Sequence, residues 1–187
     1  MFDSLPARAF CGLVVLALSV ATLTACSTPP VDSAYPDMTL AETKSPVQLL
    51  RNEAAGRIPA ELISEVVAAR DQSTSCQMAS DPEGRIRSWG SSVRVSLTDA
   101  AGKDVESIVD DLVASFEEQG WEAGIYGVSS IVDLTSKDSI VAIHISPVAG
   151  DEETGAGAKV QLTVSGPCVV TDGAESNEVL DLERREE

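Results

Sequence analysis

The apolar residues between Arg87 and Ser165 follow two different periods, and the order of those periods confines the fold. From Arg87 to Thr98 they alternate: Trp89, Val93, Val95 and Leu97 share one phase, while Arg94, Ser96 and Thr98 share the other. From Lys103 to Gln119 the spacing becomes helical. Val105, Ile108, Val109, Leu112 and Phe116 make one stripe, Asp104, Asp110, Asp111, Glu117 and Glu118 the wet face, and Gly120 the stop. Alternation then returns, from Trp121 to Tyr126, Ile131 to Thr135, Ile140 to Pro147 and Ala158 to Ser165. A helix set among antiparallel strands predicts an α+β domain over 44–170, with about four to five strands and one sheet face under the long helix.

Upstream, Ser45-Pro46-Val47-Gln48 reads as a helix start, with Ser45 as N-cap, Pro46 in the first turn and Gly56 as the stop. Pro59 opens a second, with Ile58, Leu62, Val66 and Ala69 on one stripe to Arg70. The expectation is an N-terminal pair of short helices acting as a lid, then a polar loop from Asp71 to Gly84. The acidic tail, 171–187, is expected to be mostly disordered, with at most a helical turn around Val179, Leu180 and Leu182. Clean alternation implies that the sheet face opposite the helices is polar. That face would carry Arg94, Ser96, Thr98, His144, Ser146, Lys159, Gln161 and Thr163, of which Arg94, Ser96, His144, Lys159, Gln161 and Thr163 are the candidate binding residues.

The chain has 13 Lys and Arg against 30 Asp and Glu, a formal charge of −17, which argues strongly against a nucleic-acid groove and a polybasic membrane-surface helix. Its chemistry is sparse. His144, the only histidine, lies on the polar phase of its strand, and no Gly-x-Ser-x-Gly elbow or Ser-x-x-Lys pair frames a serine nucleophile. Gly155-Ala156-Gly157-Ala158-Lys159 precedes a strand and lacks the spacing of a phosphate loop. Neither Asp151-Glu152-Glu153 nor the pair Asp133 and Asp138 matches a calcium loop. Trp89 and Trp121 fall where core or core-edge residues belong. No catalytic set, metal site or cofactor is expected.

Residues Ala9 to Ala25 form an apolar, small-residue run with the length of a signal-peptide core, preceded by Arg8 and Asp3. The run is short for a membrane span, and no charged stop-transfer cluster follows it. It ends Leu23-Thr24-Ala25-Cys26, which resembles the lipobox of bacterial lipoproteins. The stretches SPVQLLRNEAAGRIP, RSWG, VSLTDAAGKDV, EEQGW and SGPC resemble small uncharacterised secreted lipoproteins of high-GC Gram-positive bacteria. The resemblance implies cleavage of 1–25, a lipid on Cys26 and a domain held at the extracytoplasmic face of the cell membrane. Residues 26–43, broken by Pro29, Pro30 and Pro36, then read as a flexible tether, with a reach of about 20–25 Å for ~17 residues.

With Cys11 in the leader and Cys26 lipidated, Cys76 and Cys168 remain in an oxidising compartment, and a disulfide between them is the expectation. A reactive thiol or a metal site is the alternative, and no further soft ligand supports it. The leading functional reading is an anchored binding or accessory module of the cell envelope, partnered by an envelope protein or a small ligand. Its working surface would be the polar sheet face or a cleft under the first two helices. The alternatives are an envelope hydrolase using His144 and a purely structural envelope lipoprotein.

Overall fold

The computed structural model describes residues 35–77, 79–125, 131–151, 153 and 155–184. The leader, Cys26 and most of the tether lie outside the described residues. The order of elements is α1 (Leu40–Gly56), β1 (Ile63–Ser75), β2 (Ile86–Leu97), α2 (Val105–Glu117), β3 (Glu122–Ile125), β4 (Val132–Thr135), β5 (Ala142–Val148), β6 (Lys159–Ser165), β7 (Val169–Val170) and α3 (Asn177–Arg184). Short 3-10 turns, Ala60–Leu62 and Ala101–Asp104, lead into β1 and α2. The fold is α+β, as the two periods predict. Its sheet runs β1-β2-β6-β5-β4-β3 with every pairing antiparallel, and β7 pairs with the start of β2.

All three helices contact residues on one side of this sheet. Val93, Val95, Leu97, Leu134, Ile143, Ile145, Val160, Leu162 and Val164 point into the helical layer and are buried, together with Val105, Val109, Leu112 and Phe116 of α2. Burying each such aliphatic side chain contributes about 1.5–3 kcal/mol. Gly120, at φ +85°, ends α2 in the left-handed region that an L side chain adopts only with strain. Trp121 then packs edge-on against Phe116, with centroids 5.6 Å apart and planes at 76°.

The first helix begins earlier than the Ser45-Pro46 signal suggests. Thr39 is its N-cap: Glu42 N–H donates to Thr39 Oγ1 at 3.3 Å, and Thr39 N–H donates to the Glu42 carboxylate at 2.7 Å. This reciprocal pair satisfies two donors at the helix start, and the helix runs on through Pro46 in its interior. Residues 40–43, assigned to the tether by their sequence, are therefore the first turn, with Leu40 and Thr43 fully buried. Leu40, Thr43, Val47, Leu50 and Ala54 form the buried stripe. Gly166 lets it approach the sheet, because a Cβ there would lie 3.2 Å from both Thr43 Cβ and Val47 Cγ2.

No second helix follows. Residues 63–75, read as helix and then polar loop, form the long edge strand β1, so the lid is α1 alone. The spacing of Leu62, Val66 and Ala69 misleads because an edge strand leaves positions exposed and so relaxes the demand for alternation. Val66 and Val67 are 55% and 37% exposed. Register shifts between Ile63 and Glu65 and between Val67 and Arg70 also break period two. With β1 and the short β7, the sheet has seven strands among the described residues, rather than four or five.

The expected disulfide is formed: Cys76, just past β1, joins Cys168, ahead of β7, with Cα atoms 6.2 Å apart. Between β1 and β2, Asp81 accepts from Ile86 N–H at 2.6 Å, and this bond holds its carboxyl below the usual range. Residues 171–184 depart from the expected disorder. α3 buries Val179 and Leu182, and Glu183 Oε1 accepts from Ser73 N–H at 3.1 Å and from Ser73 Oγ at 2.7 Å. Arg87, itself buried, donates from Nε and Nη2 to the same Ser73 Oγ at 2.9 and 2.7 Å. An apolar pair one turn apart and one carboxylate suffice to dock an otherwise acidic segment.

Candidate functional site: the open sheet face

The face opposite the helices is built by residues directly across the ladders from one another, which share a face in an antiparallel sheet. Arg94 lies across from Gln161, Ser96 from Lys159, and His144 from Thr163. All six residues of the candidate binding face therefore come together, Arg94 exposed and the other five half-buried. Ser146 joins them across from Gln161. Thr98 does not: it lies past the end of β2, its N–H donates to Leu62 O at 2.9 Å, and its Oγ1 accepts from Ala101 N–H at 3.4 Å. Thr98 shapes the turn into α2.

The ladders also add residues that sequence periodicity missed. One cross-strand row reads Gly124, Asp133, His144, Thr163, Ser92 and Arg70, from β3 to β1. Asp133 and His144 are joined through Oδ1 and Nδ1, so the only histidine has a carboxylate partner that fixes its ring. Asp133 was visible as a strand residue, but its phase relative to His144 depends on register, which one sequence does not carry. Arg70 was assigned to a helix that is not there.

The pair sits on flat strands. A hydrolase needs His144 to meet both an acid and a hydroxyl in a pocket. Asp133 supplies the acid, and Thr163, directly opposite in the ladder, is the neighbouring hydroxyl residue. The cleft expected under the first two helices reduces to a cavity of about 120 Å³ between the end of α1 and α2, lined by Ile58, Pro59, Leu62, Ile108 and Leu112 with Arg57 across it. This is well below the ~300 Å³ at which small-molecule pockets begin. Arg57 closes it, donating to Ser115 O at 2.7 Å and stacking 3.7 Å above the Phe116 ring.

Charge is distributed unevenly. Arg51 pairs with Asp71, Arg57 with Glu53, Lys137 with Glu122 and Arg184 with Asp181. Arg70, Arg94 and Lys159, all on the open face, make no ion pair among the described residues. Arg94 Nε donates to Gln161 Oε1 at 3.2 Å, which steadies the guanidinium across two strands. Among the described residues no cluster of three His, Cys, Asp or Glu side chains is arranged to hold a metal ion. None of the described helices is long and apolar enough to cross a membrane. Searches of protein-family models, curated proteins and solved structures find no match to this chain.

Proposed function

We propose that the chain is an extracytoplasmic lipoprotein, anchored to the cell membrane through lipid on Cys26, that serves the cell envelope as a binding or accessory module. The open sheet face is its working surface. One observation carries the choice of surface: Arg70, Arg94 and Lys159, which make no ion pair among the described residues, share one broad polar face of a chain whose formal charge is −17. The lipobox resemblance supports the anchor, and the Cys76–Cys168 bond is in keeping with an oxidising compartment.

The test is crosslinking in the native cell, followed by capture of the lipidated protein and mass spectrometry, with Cys26→Ala as the unanchored control. A reproducible envelope component that is lost in the control and reduced by Arg94→Gln supports the reading. Recovery of the same components from Cys26→Ala overturns the anchor, and recovery unaffected by face variants overturns the surface. A second reading, a hydrolase using His144, has the Asp133 pairing in its favour. Loss of an envelope-hydrolysing activity in His144→Ala, with folding intact, would establish it instead.

A further inference from the structure

The three unpaired cations of the open face are arranged in a line. Arg70 on β1 is level with Ser92, Arg94 lies on β2 itself, and Lys159 on β6 is level with Ser96. Each step crosses one strand and advances two residues. With strands ~4.8 Å apart and ~3.4 Å per residue, successive Cα atoms are about 8 Å apart and the line spans about 16 Å. It runs oblique to the strands, so an occupant would lie over the face rather than extend the sheet at its edge. Ser92, Ser96, Gln161 and Thr163 flank it with hydroxyl and amide groups. Of the acids of the face, Asp133 is engaged by His144 and Glu122 by Lys137, while Glu65, across from Ser96 on the edge strand, lies beside the line, one strand and two residues from Arg94.

We propose that this diagonal binds an acidic polysaccharide, an extended chain of sugars carrying carboxylate groups; the inference rests on the open face being the working surface. Three features choose this occupant. Cations at intervals without acidic partners complement anions repeated along a chain. The hydroxyls and amide between them match the hydroxyl-bearing links of a sugar backbone, whereas a peptide ligand would need pockets for apolar side chains. Single-stranded nucleic acid would need aromatic rings for its bases, and among the described residues Trp89, Phe116 and Trp121 all belong to the helical layer. At physiological ionic strength the screening length is about 8 Å, so these local charges act on a bound chain largely apart from the acidic body of the molecule.

The probe is a galacturonate oligomer of about ten sugars, with its fully methyl-esterified form as a neutral counterpart of the same backbone. Binding to the folded chain is expected for the acid and absent for the ester, with a log–log salt slope near −2 for three ionic contacts. Arg94→Gln with Lys159→Gln is expected to weaken it at least tenfold, and Lys103→Gln, off the diagonal, to leave it unchanged. Unchanged melting of each variant shows that the fold is intact. No binding of the acid, equal binding of the ester, or equal binding by oligothymidylate or oligoglutamate overturns the proposal, as does a double variant that binds normally. The same variants in the cellular capture experiment separate the two ideas. If capture depends on Arg94 and Lys159 while the galacturonate oligomer fails, the surface stands and the ligand class falls.

Discussion

Glu183 acts at single-residue scale out of proportion to its place in an acidic tail. Its carboxylate satisfies both the N–H and the hydroxyl of Ser73, and the same hydroxyl accepts from Arg87. Removing it leaves the N–H and the hydroxyl of Ser73, on the edge strand, short of an acceptor. Glu183→Ala is therefore expected to cost about 1–3 kcal/mol in urea unfolding, with Glu183→Gln recovering part of the loss. At the other end, the bonds from Thr39 hold the Glu42 carboxyl below its ordinary value of 4.5. A depressed carboxyl stabilises the fold above the unfolded-chain value, and that contribution disappears as pH falls through the lower, folded value. A site-resolved titration should place the Glu42 midpoint below 4.5. Thr39→Ala should raise it towards the ordinary value and cost about 1 kcal/mol of stability.

At the scale of elements, what could be read in the sequence followed burial. β2, α2 and β6 were legible almost to the residue because each has one face in the core, where Val93, Leu112 or Leu162 admits no other phase. β1 was not legible, since an edge strand with two register shifts has neither a buried stripe nor an unbroken alternation. α1 was misplaced by trusting Pro46 as a start signal over the Thr39 and Glu42 box. A proline in a helix interior forfeits one backbone bond, so Pro46→Ala should raise stability by about 1–3 kcal/mol in the same urea assay. α3 escaped because composition was weighed over the spacing of Val179 and Leu182. The candidate face divides in the same way: residues on β2, β5 and β6 were found, while Asp133 and Arg70 needed the register.

For the whole molecule, the Cys76–Cys168 bond spans a sequence separation of 92 and fastens the end of β1 to the chain entering β7 and α3. In the chain-entropy account a closure of this length contributes roughly 4–5 kcal/mol, so Cys76→Ser with Cys168→Ser should shift the denaturation midpoint strongly downward. Reducing agent should act on the native chain in the same direction and leave the double variant unaffected. The first and last helices also meet, Lys44 Nζ donating to Leu182 O at 3.2 Å. A reporter or affinity tag fused after α3 would thus emerge beside the first turns of α1. The hairpin closed by Asp151 and Ala156 offers a place for an inserted label in a loop well separated in sequence from both ends. The same proximity makes the domain a candidate for circular permutation, with a short linker joining α3 to α1 and new ends opened at that hairpin.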